Sequence, residues 1–295
     1  MNSPQTSIII RCLNEDKHIG TLLTALQKQS YKNFEVILVD SGSTDATLDI
    51  AKKYDGKILH IHPDKFSFGA SLNLGCEAAK GEFLVMISAH VYPANSHWLE
   101  TLLKGFDDPS VGVVYGKQRG NEITRFSEHQ IFEKWFPDES KPRQKGPFCN
   151  NANCAVRTSL WAKLKYDEQL TGLEDIDFAK RAIEYGNQVR YAKNSTAVHV
   201  HDETYPHIAN RYRREAIALQ KIFPNEHFGV GDLMKFWIVN SVSDFRAAFR
   251  QGCFWKEWLG IIRFRWAQFF GTYRGFHLRK ALDSHLKQHL YYPND

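Results

Sequence analysis

The chain has 295 residues, 43% of them hydrophobic and 24% charged, with a formal net charge of +5. These values are typical of a soluble globular protein, and no stretch approaches the ~18–20 apolar residues that span a membrane. The N-terminal residues 1–6 lack the basic and apolar regions of a signal peptide, and the five cysteines are not closely paired. We therefore expect a cytoplasmic chain with free thiols.

Apolar runs alternate with amphipathic segments along the first half of the chain, which predicts alternating strands and helices. The predicted elements are strand 7–11, helix 18–29, strand 35–40, helix 46–54, strand 57–60, helix 70–79 and strand 83–88. Thr44 or Asp45 is the expected cap of the second helix. Strands joined by helices through short links imply right-handed crossovers, a mostly parallel sheet and the α/β fold class.

The second half of the chain is less regular. Its predicted elements are helix 98–106, strand 111–116, a strand that follows Asn153, helix 175–185, strand 188–191 and helix 207–222. Residues 117–150 contain several prolines and are expected to form loops and a helix around a cleft.

Acidic residues stand at two positions where the predicted elements change. Asp40 closes the apolar run of the second strand, and Glu174 and Asp175 stand where a loop enters a helix. In open α/β sheets, ligands bind beyond the carboxyl ends of the strands. The sequence therefore predicts one cleft that holds a nucleotide near Asp40 and a catalytic acid or base at Glu174 and Asp175.

Five segments of the chain resemble the family 2 glycosyltransferases of the GT-A fold, of the type that builds bacterial polysaccharides and lipid-linked glycans. The segments are residues 7–15, 34–45, 71–75, 79–84 and 172–175. Their order and spacing together carry the resemblance, which covers about residues 5–205. It implies an inverting transfer of a sugar from a nucleotide-activated donor, with UDP as the expected nucleotide, to an acceptor hydroxyl.

The resemblance also implies roles for single residues. Asp175 matches the family's general base, Glu174 is expected to position the acceptor or the base, and Asp40 matches the contact to the nucleotide base or ribose. The expected nucleotide-binding residues are Arg11, Asn14, Glu15, Asp40, Ser43 and Asn73. Structural alternatives stay open, since Asp40 can cap the next turn, Asn14 can cap a helix and Asp175 can interact with a helix dipole.

The chain departs from the family pattern at the metal-binding triplet. Most members carry Asp-x-Asp after the fourth strand, whereas this chain has Ser88-Ala89-His90. His199 matches a downstream histidine of the metal site, and His201 follows it. Oxygen ligands suit Mg²⁺ and imidazole suits softer metals, so either no divalent metal (Mn or Mg) is needed or His90 and His199 are unusual ligands. The expected diphosphate and metal region is therefore Ser88, His90, His199 and His201, with ordinary polar surface as the alternative for the histidines.

Basic and amide side chains between residues 117 and 153 are expected to meet the sugar or the acceptor. Lys117 and Arg119 could neutralise the diphosphate if no metal is bound. Asn150, Asn151 and Asn153 precede a predicted strand and are poor helix and strand formers. Amides suit sugar hydroxyls, and a polar turn explains them equally well.

The last part of the chain differs from the rest in charge. Residues 207–295 hold 14 Lys and Arg against 7 Asp and Glu, whereas residues 1–206 hold 24 against 26. A helical apolar stripe lies in this part and comprises Trp255, Trp258, Leu259, Ile262, Trp266, Phe269, Phe270 and Tyr273. An aromatic stripe flanked by cations is typical of a helix in a membrane interface, and packing on the catalytic domain or on a second subunit is equally open.

We predict a nucleotide-sugar-binding catalytic domain at 1–206 and a helical region at 207–295 that contacts a membrane or a second copy of the chain. The expected partners are a nucleotide-sugar donor, a glycan or lipid-linked acceptor and the inner membrane surface. Nucleic acid is not expected, because the tail has no RNP-like or zinc-finger signature.

The alternative function is a degenerate GT-A module that binds a nucleotide-sugar or a partner without catalysis. The missing Asp-x-Asp favours this alternative, and the intact Glu174-Asp175 opposes it. A GT-A-like nucleotidyltransferase is disfavoured because the N-terminal part has no glycine-rich, basic phosphate loop.

Overall fold

The computed structural model describes residues 4–139, 144, 146–278 and 290–291. The chain forms two compact units. The first unit comprises Met1–Asn121, Trp135–Gln169 and Glu174–Val200, and the second comprises Glu122–Lys134, Leu170–Leu173 and His201–Asp295. Parts of the segments predicted at 117–150 and 207–295 lie outside the described residues.

The described elements follow the predicted alternation in the first half of the chain. The strands are β1 Thr6–Cys12, β2 Phe34–Asp40, β3 Lys57–His60, β4 Phe83–Ser88, β5 Val91–Pro93, β6 Val111–Arg119, β7 Asn153–Arg157 and β8 Gln188–His199. The helices are α1 Ile19–Gln27, α2 Thr47–Ala51, α3 Phe68–Glu77, α4 Trp98–Leu103, α5 Phe126–Trp135, α6 Thr158–Leu164, α7 Glu174–Glu184, α8 Tyr205–Ile222, α9 Val230–Arg250 and α10 Phe254–Phe276. Two short 3₁₀ helices lie at Pro63–Lys65 and Lys104–Phe106.

One sheet in the first unit contains these eight strands, in the order β3-β2-β1-β4-β7-β6-β8-β5. Strands β3, β2, β1 and β4 are parallel to one another, and β6 is parallel to β8. Strand β7 is antiparallel to both β4 and β6, and β5 is antiparallel to β8. The α/β class is confirmed, and the sheet is mixed because the neighbours of β7 and β5 run against them.

Strand β1 is buried on both faces, as a central strand of an α/β sheet should be. Ile8 and Ile10 pack in one cluster with Leu22 of α1. Ile9 points to the other face, where a Cβ atom on Gly75 of α3 would lie 2.6 Å from its Cγ2 atom. The absence of a side chain at Gly75 therefore allows α3 to approach β1 and β2 closely.

The bounds of β3 and β4 agree with the predicted ones, whereas β8 is longer than the predicted strand 188–191. Its pairing with β6 skips from Ala192 to Thr196, so a bulge at residues 193–195 lets the strand continue to His199. Helix α2 is shorter than predicted, and Asp45 accepts the Thr47 N–H at its start at 2.9 Å. The elements β5, α6 and α9 were not predicted.

The second unit contains helices α8, α9 and α10. Thr204 caps α8 by accepting the N–H of His207, and Ile208 of α8 is buried against Phe264 and Ala267 of α10. In the described part of the chain, no helix combines the length and the apolar character needed to cross a bilayer.

Helices α8 and α10 approach closely at Gly271, where a Cβ atom would overlap the carbonyl oxygen of Ala209. We expect Gly271→Ala to lower the free energy of unfolding by about 1–3 kcal/mol, because a backbone atom cannot move aside as a flexible side chain can. Urea unfolding followed by tryptophan fluorescence measures this change. The control is Gly231→Ala in the first turn of α9, where a Cβ atom meets nothing within 4 Å. Equal stability of the two variants would contradict the prediction.

Candidate active site

Asp40 ends β2 and holds the turn that follows. Its carboxylate is 2% exposed and accepts the N–H of Gly42 at 3.1 Å and that of Ser43 at 3.1 Å. Gly42 has φ +105°, a conformation that side chains disfavour. The His60 Nδ1 atom lies 3.4 Å from the same carboxylate. Asp40 therefore shapes the turn at the carboxyl end of β2, which was the structural alternative predicted for it.

The loop after β1 is bonded to this turn. The Asn14 N–H donates to Ser43 Oγ at 2.9 Å, and Asn14 Oδ1 accepts the N–H of Thr44 at 2.8 Å. Asn14 has φ +53° and does not cap α1, because that helix begins at Ile19 with His18 at the N-cap. These bonds bring the predicted residues Asn14, Ser43 and Asp40 together at the ends of two neighbouring parallel strands, which is where α/β sheets bind ligands.

Two predicted histidines meet at the ends of β4 and β8. His90 follows Ser88, the last residue of β4, and its ring stacks on that of His199 with the centroids 5.2 Å apart. Its Nδ1 atom lies 2.6 Å from Glu15 Oε1. The Nδ1 atom of His199 lies 2.7 Å from Gln118 Oε1. Glu15 thus connects the loop after β1 to the histidine pair.

His201 belongs to the second unit, in a group of charged side chains. Its Nδ1 atom lies 2.6 Å from Glu128, and Arg211 contacts Glu128 at 2.7 Å and Glu203 at 2.8 Å. Although burial alone would raise it, the charges of Arg211 and His201 hold the pKa of Glu128 well below its usual range. Glu128, His201 and Glu203 have ligand atoms within 4.8 Å of one another. The guanidinium of Arg211 already supplies the positive charge that these carboxylates need, so we read this group as an ion-pair network.

The acidic pair lies at the start of α7. Glu174 is buried, and its Oε1 atom lies 3.2 Å from Arg11 Nη1 near the carboxyl end of β1. Asp175 accepts the N–H of Asn151 at 2.9 Å and that of Ile176 at 2.8 Å. Arg11 therefore links the acidic pair to the strand whose following loop carries Asn14 and Glu15.

Asp175 has the electrostatic environment of a base. Burial, followed by the charge of the neighbouring Glu174, raises its pKa to about 7, although the two backbone N–H groups and Arg11 act in the opposite direction. A carboxylate with a pKa near the working pH is well matched to accept a proton and later release it. Perturbed carboxylates of this kind are common at catalytic sites.

Two of the predicted ligand-binding amides are bonded inside the protein. Asn153 is completely buried, accepts from Trp98 Nε1 at 3.0 Å and donates to the carbonyl oxygen of Ser195 at 2.9 Å. Asn73 accepts from Trp161 Nε1 at 3.1 Å and donates to the carbonyl oxygen of Tyr166 at 2.9 Å. Because their amide atoms are used in this way, we leave both out of the proposed ligand contacts.

The other predicted side chains of this region lie on or near β6. Lys117 and Arg119 both contact Asp138, at 3.0 and 2.9 Å. Asn150 accepts from Gln118 Nε2 at 3.0 Å, which places it next to the partner of His199. The backbone N–H of Asn151, rather than its side chain, holds Asp175.

The sequence reasoning missed three residues that support the site. Gln118 orients His199, Phe68 lies under the guanidinium of Arg11 at 4.8 Å, and the Tyr166 hydroxyl donates to Asn151 Oδ1 at 3.4 Å. A signal existed only for Gln118, which is a polar residue two positions beyond the apolar run predicted as strand 111–116.

Solved structures show the same fold. A mannosyltransferase from Pyrobaculum calidifontis, in complex with GDP-Man and Mn²⁺, aligns over 95% of this chain and 89% of its own with a TM-score of 0.65 and 16% identity. Residues 1–349 of S. aureus TarS, in complex with UDP, align over 79% of this chain and 69% of their own with a TM-score of 0.54 and 22% identity. These likenesses, with the sheet described above, confirm the predicted GT-A fold.

Sequence relatives and a family model agree with one another. The chain is 28% identical over 199 residues to the O-antigen chain rhamnosyltransferase WbaN of Salmonella anatum, which is 64% of this chain and 63% of that protein. It is 28% identical over 209 residues to EpsH, a putative glycosyltransferase of Bacillus subtilis, which is 65% of this chain and 60% of that protein. The chain thus spans about three fifths of the length of these relatives. The glycosyl transferase family 2 model matches residues 7–165, more than half of the chain, and the chain therefore belongs to glycosyl transferase family 2.

Proposed function

We propose that the chain is an inverting glycosyltransferase that moves a sugar from a nucleoside-diphosphate sugar to a hydroxyl group of a glycan or a lipid-linked glycan. The observation that carries the proposal is Asp175, a carboxyl with a pKa of about 7 held by two backbone N–H groups beside the Arg11–Glu174 pair. Similarity to a rhamnosyltransferase and to TarS, a poly(ribitol-phosphate) β-N-acetylglucosaminyltransferase of Staphylococcus aureus, supports the same class of reaction.

In the proposed reaction, the acceptor hydroxyl oxygen attacks the anomeric carbon of the donor sugar. The bond from that carbon to the diphosphate oxygen breaks, and its electron pair leaves with the nucleoside diphosphate. Asp175 takes the hydroxyl proton as the new bond forms, since the oxygen becomes acidic only during attack. Attack on the face opposite the leaving group inverts the anomeric configuration.

Glu174 and Arg11 act as positioning residues in this proposal. Arg11 holds Glu174 at 3.2 Å, and its guanidinium lies over the Phe68 ring. Burial and then the charge of Glu174 raise the pKa of Asp175, while Arg11 lowers it. Glu174 therefore favours a base that binds a proton near neutral pH, and Arg11 fixes the position of Glu174.

The nucleoside is proposed to bind beside the turn at residues 41–44. An Asp40 side chain that is 2% exposed offers little surface to a ribose hydroxyl, so Asp40 would act mainly through the turn that it fixes. Asn14 and Gly42 are exposed at this turn and present polar atoms to a ligand. UDP is the proposed nucleotide.

His90 and His199 are the residues that would hold a divalent ion. Each has its Nδ1 atom fixed by a side-chain oxygen, of Glu15 or of Gln118, and metal-binding histidines are usually oriented in this way. The donors that remain are two imidazole nitrogens, since Glu15 acts through His90, and Mn²⁺ accepts nitrogen ligands more readily than Mg²⁺ does. When bound, the ion would neutralise the charge that develops on the leaving diphosphate.

Isothermal titration calorimetry of the purified protein with UDP, GDP, dTDP and CMP tests the proposal, with each titration in Mn²⁺, in Mg²⁺ and in EDTA. We expect one nucleoside diphosphate to bind, and Mn²⁺ to tighten its binding more than Mg²⁺. His90→Ala should weaken the Mn²⁺-dependent binding by about tenfold or more. His97→Ala is the matched control, because His97 is an exposed histidine that contacts Ser30 and Glu100.

Binding of none of the four nucleotides would contradict the proposed function. Binding that is equally tight in EDTA would keep the transferase proposal and overturn the metal site. In that case cationic side chains would have to neutralise the leaving group.

A further inference from the structure

Exposed apolar side chains concentrate on the second unit. Of the 15 large apolar side chains that are exposed among the described residues, 12 lie between Val230 and Phe270. They include Trp255, which is 82% exposed, and Phe249, which is 60% exposed. Apolar patches of this extent usually mark a surface that another molecule or a membrane covers.

Helix α10 has one side that packs inside the second unit and another side that belongs to this exposed surface. Phe264 and Ala267 of α10 are buried in the cluster with Ile208 of α8. Trp255, Trp258 and Trp266 stand at spacings of three and eight residues, so they share the opposite, exposed side of the helix.

Helix α9 extends the same surface. The Trp237 ring meets that of Trp266 at 5.4 Å, and its Nε1 atom donates to the carbonyl oxygen of Ile262 at 3.3 Å. Phe249 of α9 stacks on Phe254, which in turn contacts Trp255 at 5.1 Å. The two helices therefore share one continuous surface. We call it the aromatic face, and it includes the exposed side chains Val239, Phe249, Trp255, Trp258, Trp266 and Phe270.

The charges around the aromatic face have one sign. The exposed charged residues of α9 and α10 are all basic, namely Lys235, Arg246, Arg250, Lys256, Arg263 and Arg274. The acidic residues of these helices are less exposed: Asp244 is 2% exposed and bonded to Arg265, and Asp232 and Glu257 are half-buried, with Glu257 3.7 Å from Lys256. Lys256, Arg263 and Arg274 lie at spacings of seven and eleven residues, which places them in one row along α10 beside the tryptophans.

We propose that the aromatic face lies on the surface of a bilayer that contains anionic lipids. Tryptophan rings suit the boundary between headgroups and acyl chains, because they combine a large apolar area with one N–H donor. Lysine and arginine can bury their methylene groups along the apolar boundary and extend their charges to lipid phosphates. Helices α9 and α10 would lie in the plane of the interface, as amphipathic helices with a basic border do.

The charge pattern favours a lipid surface over a second copy of the chain. A two-fold interface brings the same patch of both copies together, so it would place the exposed cations of one copy near those of the other. Apart from Asp244, which is paired with Arg265, the acidic residues of α9 and α10 are Asp232 and Glu257, against six exposed cations, and Glu257 lies 3.7 Å from Lys256. An anionic membrane supplies compensating charge over its whole surface.

Vesicle sedimentation with the full chain tests the proposal without any sugar donor, so its outcome is independent of the proposed function. We expect binding to vesicles of equimolar phosphatidylcholine and phosphatidylglycerol, little binding to phosphatidylcholine alone, and weaker binding at high salt. The double variant Trp255→Ser/Trp258→Ser should bind at least about tenfold more weakly, since both side chains would leave the interface. Lys256→Gln/Arg263→Gln should lose about fivefold for each charge.

Tyr185→Ser is the matched control, because Tyr185 is an exposed aromatic residue of the first unit. It should bind vesicles as the wild type does. Circular dichroism checks that the variants remain folded. Trp255 and Trp258 are 82% and 42% exposed, and Lys256 and Arg263 stand at exposed positions.

Three results would overturn the proposal. The first is no sedimentation with anionic vesicles. The second is equal binding by the tryptophan variant and the wild type. The third is a wild-type protein that is a dimer by light scattering and a tryptophan variant that is a monomer, with neither of them binding to vesicles. That result would assign the face to a second copy of the chain.

Discussion

Asp175→Asn is expected to slow sugar transfer by about 10²–10⁴-fold while nucleotide affinity stays unchanged, because an amide cannot accept the proton of the acceptor hydroxyl. The exchange preserves the size of the side chain and an oxygen that can accept the Asn151 N–H. Release of nucleoside diphosphate from the sugar donor measures the rate, and calorimetry measures the affinity. Asp177→Asn is the matched control, because Asp177 lies on the same helix and is bonded to Arg181 at 2.7 Å.

The pH profile gives this prediction a second readout. With a pKa of about 7, the wild-type base is increasingly protonated as the pH falls through neutrality, so the transfer rate should fall with it. Glu174→Gln removes a charge that raises the pKa of Asp175, and the drop in rate should therefore move to lower pH. An Asp175→Asn variant with the wild-type rate would refute the assignment of the base. A chain that binds the nucleotide but does not cleave a sugar donor to nucleoside diphosphate would support the alternative of a non-catalytic module.

Arg265→Met is expected to lower the free energy of unfolding by about 3–5 kcal/mol, because it leaves the carboxylate of Asp244 buried without its partner. Arg265 is 4% exposed and contacts both carboxylate oxygens, at 2.8 and 2.9 Å. It also donates to Gln268 at 2.9 Å and to the carbonyl oxygen of Ser127 at 3.3 Å, so one guanidinium connects α9, α10 and α5.

Urea unfolding followed by tryptophan fluorescence measures this loss, since four tryptophans lie in α9 and α10. Arg263→Met is the matched control. Arg263 is two residues away from Arg265 and is exposed. Its exchange should change the free energy of unfolding by no more than about 0.5 kcal/mol. The double variant Arg265→Met/Asp244→Leu should recover part of the loss, because no charge then stays buried alone. A loss as small as that of the control would show that the ion pair is not needed.

Much of the first unit could be predicted because its strands are short apolar runs with clear ends. Residues 83–88 are five apolar residues and a serine between Gly81-Glu82 and a polar turn, and that is the observed β4. The direction of a strand is not encoded in such a run. Strand β7 therefore could not be recognised as antiparallel, although four of the seven strand pairs are parallel, as a mostly parallel sheet requires.

Strand β8 shows what a local pattern hides. Lys193, Asn194 and Ser195 interrupt the apolar alternation, and only pairing with β6 across a bulge carries the strand through them to His199. This strand depends on a partner that is distant in sequence. Helix α9, by contrast, is amphipathic at helical spacing, as α10 is, and its signal was overlooked.

Some contacts of the site residues could be predicted from the sequence, and others could not. The meeting of His90 with His199 follows from strand ends that share one edge of the sheet, which the order of elements implies. The burial of Asn153 does not, because its three-amide segment has the same composition whether it faces a sugar or the indole of Trp98. The carboxylate of Asp40 was correctly expected at a strand end, while its bonds to the Gly42 and Ser43 N–H groups depend on the geometry of a single turn.

The edge strand β5 has a consequence for how the chain folds during its synthesis. Among the described residues, Val91–Pro93 pair with the segment Ala197–His199 of β8 alone, so roughly a hundred further residues must leave the ribosome before that edge can close. The nucleotide side of the sheet, made of β1, β2 and β4, can assemble well before that time. The stacked histidines are thus among the last parts of the first unit to form, and a nascent chain that stops short of β8 would carry His90 without its partner ring.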